Sequence, residues 1–546
     1  MTLSISLALP FTRLRDSKWD IASAVLFLGA LGAVLWTFRD YGVTWDEDVH
    51  NQYGILVLDY YLSLFQDRRC LDWLDLFNYG AAFDMSAAAL NRVSGLGIYE
   101  TRHLLNGLVG ILGIAGCWKL GRCLGGPRAG FMAAVLLLAI PNWYGQMFNN
   151  PKDIPFAAAM VWSLCYIVRI IPFLPRPPLA LVVKLGIAAG FAMGVRIGGL
   201  LALCYLGLLL TLFLLWRASE IRSLKLLLAD GWNLLHRVAV PAGVIAFAVM
   251  LLFWPWAQVD PVHHPLAALA NFSKEIFPYP TLFAGKYYPA TDLPWSYLPV
   301  FIVLALPELI LLLLAAGVLM AWPAFQGVPG ARRRERFLGH FMVAFAAIFP
   351  IVYAIAIHAV LFDGMRHFLF VLPPLSALAG ATASYLLPRL RPRGLVYAAL
   401  GLYGAWHASI MLRLHPDEYV YYNALVGGPA GAQGLFKLDY WGNSYREAVL
   451  GLTDYLRAEY GEDFPKRHFT VAVCGPPVSA AYFFPENFEF AQDREHADFF
   501  IAFTKDDCHK ALQGREIFRV ERMNALLTVV LDRRVVNGRM VNGRGQ

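Results

Sequence analysis

Apolar residues along this chain gather into about eleven runs, each close to the 20 residues that cross the hydrocarbon of a bilayer as a helix. The runs lie near 20–38, 103–120, 127–142, 155–174, 180–197, 199–216, 238–256, 295–322, 337–361, 367–388 and 394–413. The third is short and meets Pro141. The fifth and sixth are parted only by Gly198-Gly199, which predicts a tight turn at the membrane edge. Beyond 414 the pattern changes. Phe469–Val473, Phe499–Phe503 and 526–531 have the composition of buried strands, and Ser444-Tyr445-Arg446-Glu447 opens a helical stretch as a capping box. The expected fold is a polytopic α-helical membrane unit, residues 1–413, followed by a small α/β domain, residues 414–546.

Composition agrees. Hydrophobic residues make up 58% of the chain and charged ones 16%, with a mean hydropathy of +0.50, too little polar surface for a soluble protein of 546 residues. The net charge of +7 does not indicate nucleic acid, because no basic stretch is interleaved with aromatics in a soluble segment. The cations sit in short loops and set orientation. With the N-terminus cytoplasmic, the inner loops hold Lys119, Arg122 and Arg128; Arg169 and Arg176; Arg217, Arg222, Lys225 and Arg237; Arg332 to Arg334 and Arg336; and Arg389, Arg391 and Arg393. The outer side holds the acid-rich segment 39–102, the loop 257–294 and the domain from 414. Arg13, Arg15 and Lys18 precede a first run too long for a cleavable signal, so a retained span is expected there. Cys117, Cys123, Cys165 and Cys204 read as inert thiols in or near spans, whereas Cys474 and Cys508 could pair if the tail is extracytoplasmic.

That outer side also collects the charged residues that a simple anchor does not need. Asp46, Glu47 and Asp48 follow the first run. Arg102 and His103 open the second. Asn149-Asn150-Pro151-Lys152-Asp153 follows the third, Arg196 ends the fifth, and Asp363, Arg366 and His367 precede the tenth. The arrangement suits displacement at a sugar carbon that bears a lipid phosphate. A carboxylate accepts the proton of the attacking hydroxyl, and cations hold the departing phosphate. Asp46 is the first choice for base and Glu47 the second. Lys152, Arg196 and Arg366 are the choices for phosphate, with Arg102 behind them. Asp153 and His367 could orient these groups or bind a metal.

Each residue also has a plainer reading. The three acids complement a helix N-terminus, and Pro151 suits a first helical turn. Arg196 could snorkel to headgroups, and Arg366-His367 could anchor an interface. His263-His264 sits in a loop and is discounted as a metal pair. The aromatic and acidic stretch 436–442 suits either sugar contact or core. The Asn271-Phe272-Ser273 sequon is too common a pattern to place the chain in a eukaryotic lumen.

Taken in order, Thr44-Trp45-Asp46-Glu47, Glu100-Thr101-Arg102-His103, Asn150-Pro151-Lys152-Asp153, Gly194-Val195-Arg196-Ile197-Gly198-Gly199 and Asp363-Gly364-Met365-Arg366-His367 resemble the GT-C superfamily of membrane glycosyltransferases. The likeness is to the bacterial branch related to protein O-mannosyltransferases and lipid A sugar (aminoarabinose or galacturonic acid) transferases, over roughly residues 20–410. It implies a polyprenyl-phosphate sugar as donor and an inverting single displacement onto a lipid, polysaccharide or protein acceptor of the envelope. It places the reaction at the outer face of a bacterial plasma membrane. By the same likeness Asp46 or Glu47 is the base, and a divalent metal near Asp153 occurs in some relatives and not in others. The tail lacks the repeat-type luminal domain of the eukaryotic mannosyltransferases.

Two rivals remain open on the residues. A transporter or flippase would need ionisable groups near the midplane, for which Glu308 and His358 are the best candidates. A non-catalytic assembly factor would use the tail as a binding module.

Overall fold

The computed structural model describes residues 18–221, 223–272, 280–326 and 330–535. Arg13, Arg15, Arg222 and Ser273 lie outside them. The helices of the first part are α1 (Lys18–Thr37), α2 (Glu47–Leu62), α3 (Ala82–Ser94), α4 (Ile98–Leu138), α5 (Pro141–Asn149), α6 (Asp153–Ile170), α7 (Leu179–Met193), α8 (Leu200–Glu220) and α9 (Leu224–Leu252). After a β1–β2 hairpin (Thr281–Phe283, Lys286–Tyr288) come α10 (Tyr297–Ala305), α11 (Glu308–Phe325), α12 (Gly330–Ala356), α13 (Leu372–Leu386) and α14 (Arg393–Leu414). Among the described residues, eight helices are long and apolar enough to cross a membrane, or nine if one bent pair counts as a span.

The difference from eleven runs has local causes. α4 is two antiparallel arms, since Gly125 and Gly126 leave helical geometry, the latter at φ +80°. A Cβ on Gly121 would lie 2.8 Å from the Ala129 carbonyl oxygen across that turn. α7 is shorter, at 15 residues. The run at 295–322 is not one helix but breaks between α10 and α11 with a bend of 113°. Pro307 has no N–H to donate and holds Leu306 extended at ψ 134°. Asn423 covers the carbonyls the break exposes: its side-chain amide donates to Val303 and Leu306 at 2.8 and 2.9 Å, and its backbone N–H to Leu304 at 2.9 Å. Glu308 then accepts from the Ala424 N–H at 2.8 Å and from the Tyr403 hydroxyl at 3.3 Å. It is part of this repair rather than a free midplane acid. His358 is exposed beyond the end of α12.

Small residues set the helix packing, as they must where lipid and protein are equally apolar. Gly186 and Gly190 of α7 face Ala242 and Ala246 of α9 so closely that a Cβ on either glycine would fall within 3 Å of a carbonyl oxygen. Gly380 of α13 meets Ala133 of α4 in the same way.

The tail carries helix α15 (Tyr445–Tyr460) against a five-stranded sheet, ordered β4 (Phe488–Phe490), β3 (Phe469–Val473), β5 (Phe499–Phe503), β7 (Ala525–Asp532), β6 (Arg515–Arg522). The first three strands are parallel and the last two antiparallel to their neighbours. β5 is buried throughout, which is why it reads as an unbroken apolar run. The capping box does not form. Ser444 stands at the N-cap, but its hydroxyl goes to Asp439 at 2.5 Å and Thr528 at 2.7 Å, and Glu447 pairs with Arg522. Residues 445–531 form a second apolar core around the sheet, whereas Tyr419 to Tyr422 and Phe436 to Trp441 pack into the helical core. Cys474 and Cys508 are disulfide-bonded, with Cα atoms 6.4 Å apart.

Candidate active site

Three chain ends meet under the sheet domain. The 39–46 segment leaves α1 and runs to α2. Trp45 N–H donates to the Trp441 carbonyl at 3.0 Å, and Gly42 N–H to the Asn443 side chain at 2.8 Å. Only glycine permits this: a Cβ at 42 would sit 2.1 Å from the Asn443 carbonyl oxygen. Asn149, ending α5, donates to the same Asn443 oxygen at 2.8 Å. Asn150 closes the turn before α6, its Oδ1 accepting from Asp153 N–H at 2.9 Å and Lys152 N–H at 3.3 Å. From this turn Lys152 lines a cavity, and Asp153 is buried.

The meeting point encloses a cavity of about 440 Å³. Asp46, Lys152, Arg196, Arg366 and His367 all line it, together with Asp363. Arg366 Nη1 donates to Asp46 Oδ2 at 3.0 Å and lies 3.8 Å from Asp363, with its guanidinium between the rings of Trp441 and Phe362. Arg196 is held by Asp153 at 2.9 Å, and both Lys152 and Arg196 face the Tyr79 ring. Burial pushes the Asp46 carboxyl up, but Arg366, then Lys152 and His50, outweigh it and hold the group at about 2. Burial pushes the Lys152 ammonium down, with Arg196 adding to the effect against Asp46 and Asp153, and leaves it at about 8. No carboxylate stands within ion-pair distance of Lys152 among the described residues.

Other expected residues lie elsewhere. Asp46 is the N-cap of α2, so Glu47 is turned about 100° away from it. Glu47 is 1% exposed, accepts from Thr44 N–H at 2.8 Å and pairs with His103 at 3.1 Å. Arg102 is equally buried and bound to Asp84 at 2.5 Å, which also takes His50 at 2.8 Å. Neither reaches the cavity. Asp153 is close by but spent on Arg196 and Asn150. Among the described residues no three His, Cys, Asp or Glu side chains converge as a metal cluster. The tail supplies Trp441, from the stretch 436–442 named as a candidate sugar contact, and lining groups not singled out for the site: Gly475, Phe503, Lys505 and Asp506, with the Cys474–Cys508 bridge in the wall.

A second, apolar cavity has a volume of about 540 Å³. Val195 and Pro155, next to Arg196 and one turn from Lys152, lie at one end. It follows α6 through Ala158, Ala159 and Trp162 to Tyr166, roughly 16 Å at a helical rise of about 1.5 Å per residue.

No protein-family model matches the chain, and a search of curated proteins finds no match either. Among solved structures, ArnT from Cupriavidus metallidurans bound to undecaprenyl phosphate aligns with a TM-score of 0.50 at 17% identity, covering 96% of this chain and 99% of its own. The chain therefore has the fold of ArnT. The archaeal oligosaccharyltransferase AglB from Archaeoglobus fulgidus, in complex with an inhibitory peptide and a dolichol-phosphate, is also similar. It aligns at 14% identity and a TM-score of 0.46 over 82% of this chain and 62% of its own, too loosely to refine that statement.

Proposed function

We propose that the chain is an inverting glycosyltransferase that moves a sugar from a polyprenyl-phosphate donor to an envelope acceptor at the extracytoplasmic face of a bacterial plasma membrane. Residues 1–413 form its catalytic unit, and 414–546 an outer domain that closes over the site. The observation that carries the reading is a cation-rich cavity, lined by Lys152, Arg196 and Arg366, with an apolar groove whose lining includes Val195 and Pro155, close in sequence to two of those cations. The donor's phosphate lies against Lys152, Arg196 and Arg366, and its prenyl tail follows α6 toward Tyr166. ArnT, the neighbour of the same fold, was solved with undecaprenyl phosphate.

In the free protein Asp46 is a poor base, because Arg366 holds it anionic and weakly basic at about 2. An arriving phosphate competes for Arg366, and its negative charge replaces that of Asp46 at the guanidinium. Released from that bond, Asp46 becomes more basic and accepts the proton of the acceptor hydroxyl as it attacks the anomeric carbon. The C–O bond to phosphate breaks on the opposite face, and the developing charge is held by the three cations. Asp153 keeps Arg196 in place and does not itself meet substrate.

Mass analysis of envelope lipids, polysaccharides and proteins with and without the chain tests the reading directly; an unchanged glycan profile removes it. Asp46→Asn is expected to lower turnover by about 10²–10⁴ with unaltered membrane insertion. Full turnover in that variant would remove Asp46 as base.

A further inference from the structure

Lys505 is the cation that no span-based reading would find. It lies in the turn after β5, in the sheet domain, yet it lines the same cavity as Lys152, Arg196 and Arg366. Its side chain is 9% exposed, so its charge is withdrawn from bulk water. The ammonium lies over the Trp45 ring at 4.6 Å, donates to the Tyr440 carbonyl at 3.3 Å, and is 3.9 Å from Asp363 Oδ1. That distance is too long for a hydrogen bond, and Asp363 Oδ1 is buried without one. An ammonium has three donors. One is used at Tyr440, and the side chain lines the cavity.

The turn that carries it is held by force at both ends. Asp506 and Asp507 take left-handed backbone, φ 51° and 58°, which non-glycine residues adopt at a cost. Asp506 is tied to Lys437 at 3.1 Å, and Cys508 is bonded to Cys474 at the end of β3. Gly475 follows, at φ 97°, where a Cβ would press on Trp45 at 3.1 Å. The bridge thus joins the turn to the strand whose exit packs on the first-loop tryptophan.

We infer that Lys505 is a fourth donor-phosphate contact, supplied by the outer domain, and that the Cys474–Cys508 bridge positions it. This rests on the lipid-phosphate reading above. The site is then complete only when the domain is docked and oxidised, which suits an oxidising compartment.

The test uses the full-length protein in lipid nanodiscs, with undecaprenyl phosphate as probe and undecaprenol as its uncharged control. Binding is read by fluorescence of the tryptophans at the cavity. Lys505→Met is expected to weaken undecaprenyl phosphate binding by about tenfold, the scale of one lost charge-assisted hydrogen bond, and Lys505→Arg to recover most of it. Undecaprenol binding should not change in either. Reduction of the wild type, or Cys474→Ser with Cys508→Ser, should weaken binding to the same degree, while reduction of Lys505→Met should add nothing, because both act through one contact. Wild-type affinity in Lys505→Met, alongside a loss in Arg366→Ala, overturns the inference and leaves the donor reading standing. So does a reduction effect of equal size in Lys505→Met and wild type. A wild type that binds the phosphate no better than undecaprenol overturns both.

Discussion

Two sets of charged side chains back onto each other at the start of α2, and they differ in what answers each charge. Behind the helix, Glu47 meets His103, while Asp84 meets both Arg102 and His50, all of them almost wholly buried. Burial pushes the Asp84 carboxyl up, yet His50 and Arg102 bring it below its usual range. In front, Asp46 and Asp363 share Arg366, and Lys152 faces open volume. Both sets are built from acids and bases, and Asp46 and Glu47 are neighbours in sequence. What separates framework from site is incomplete pairing beside a cavity, since a buried charge is costly until something neutralises it and a substrate can be that partner.

The comparison breaks first at Arg102. If it is framework, Arg102→Met leaves Asp84 buried with His50 alone and costs about 3–5 kcal/mol of stability. Thermal unfolding of the purified protein reads this as an earlier transition, with donor affinity retained in the molecules that remain folded. An unchanged transition with lost donor binding would move Arg102 from the framework into the site.

The limits of reading the chain follow the same divide. The spans were legible because a helix in lipid must be apolar along its length. The break at Pro307 escaped, since its repair comes from Asn423, more than 100 residues away. That Asp46, Lys152, Arg196, Arg366 and His367 come together at one cavity was legible because each stands at the end of an apolar run. Separating Asp46 from Glu47 was not possible, since it depends on where α2 begins, and one residue of helix turns a side chain from the cavity into the core. Arg102 looked like Arg196 by position; only packing shows that Asp84 waits behind it. Lys505 lay in a domain with no span to orient it. The signal available was Cys508, three residues on, whose pairing with Cys474 pins that turn.

Arg366 sharpens the front half. Arg366→Ala removes the bridge to Asp46 and the proposed phosphate contact together, so donor binding should weaken by about 2–3 kcal/mol, the cost of a charged hydrogen bond. Because Arg366 answers Asp46 in the free protein, the pH at which Asp46 protonates should rise in the same variant. Acceptor KM should hold. Donor binding equal to wild type would mean that Arg366 only neutralises Asp46 and Asp363.

The smallest effect is the pH dependence of donor binding through Lys152. Its value of about 8 lies below the lysine norm because burial and Arg196 oppose the charge. The cation is therefore present below about 8 and is lost as pH rises through it, so affinity should be flat on the acid side and decline on the alkaline side. A bound anion stabilises the ammonium and raises its value in the complex. The decline thus begins at the free-protein value, follows one proton, and levels off only when the complex also titrates. Lys152→Arg, whose guanidinium keeps its charge, should remove the break while preserving most of the acid-side affinity. A donor affinity without a break near 8 in wild type, or one that persists in Lys152→Arg, would place the unanswered charge of this cavity on another residue.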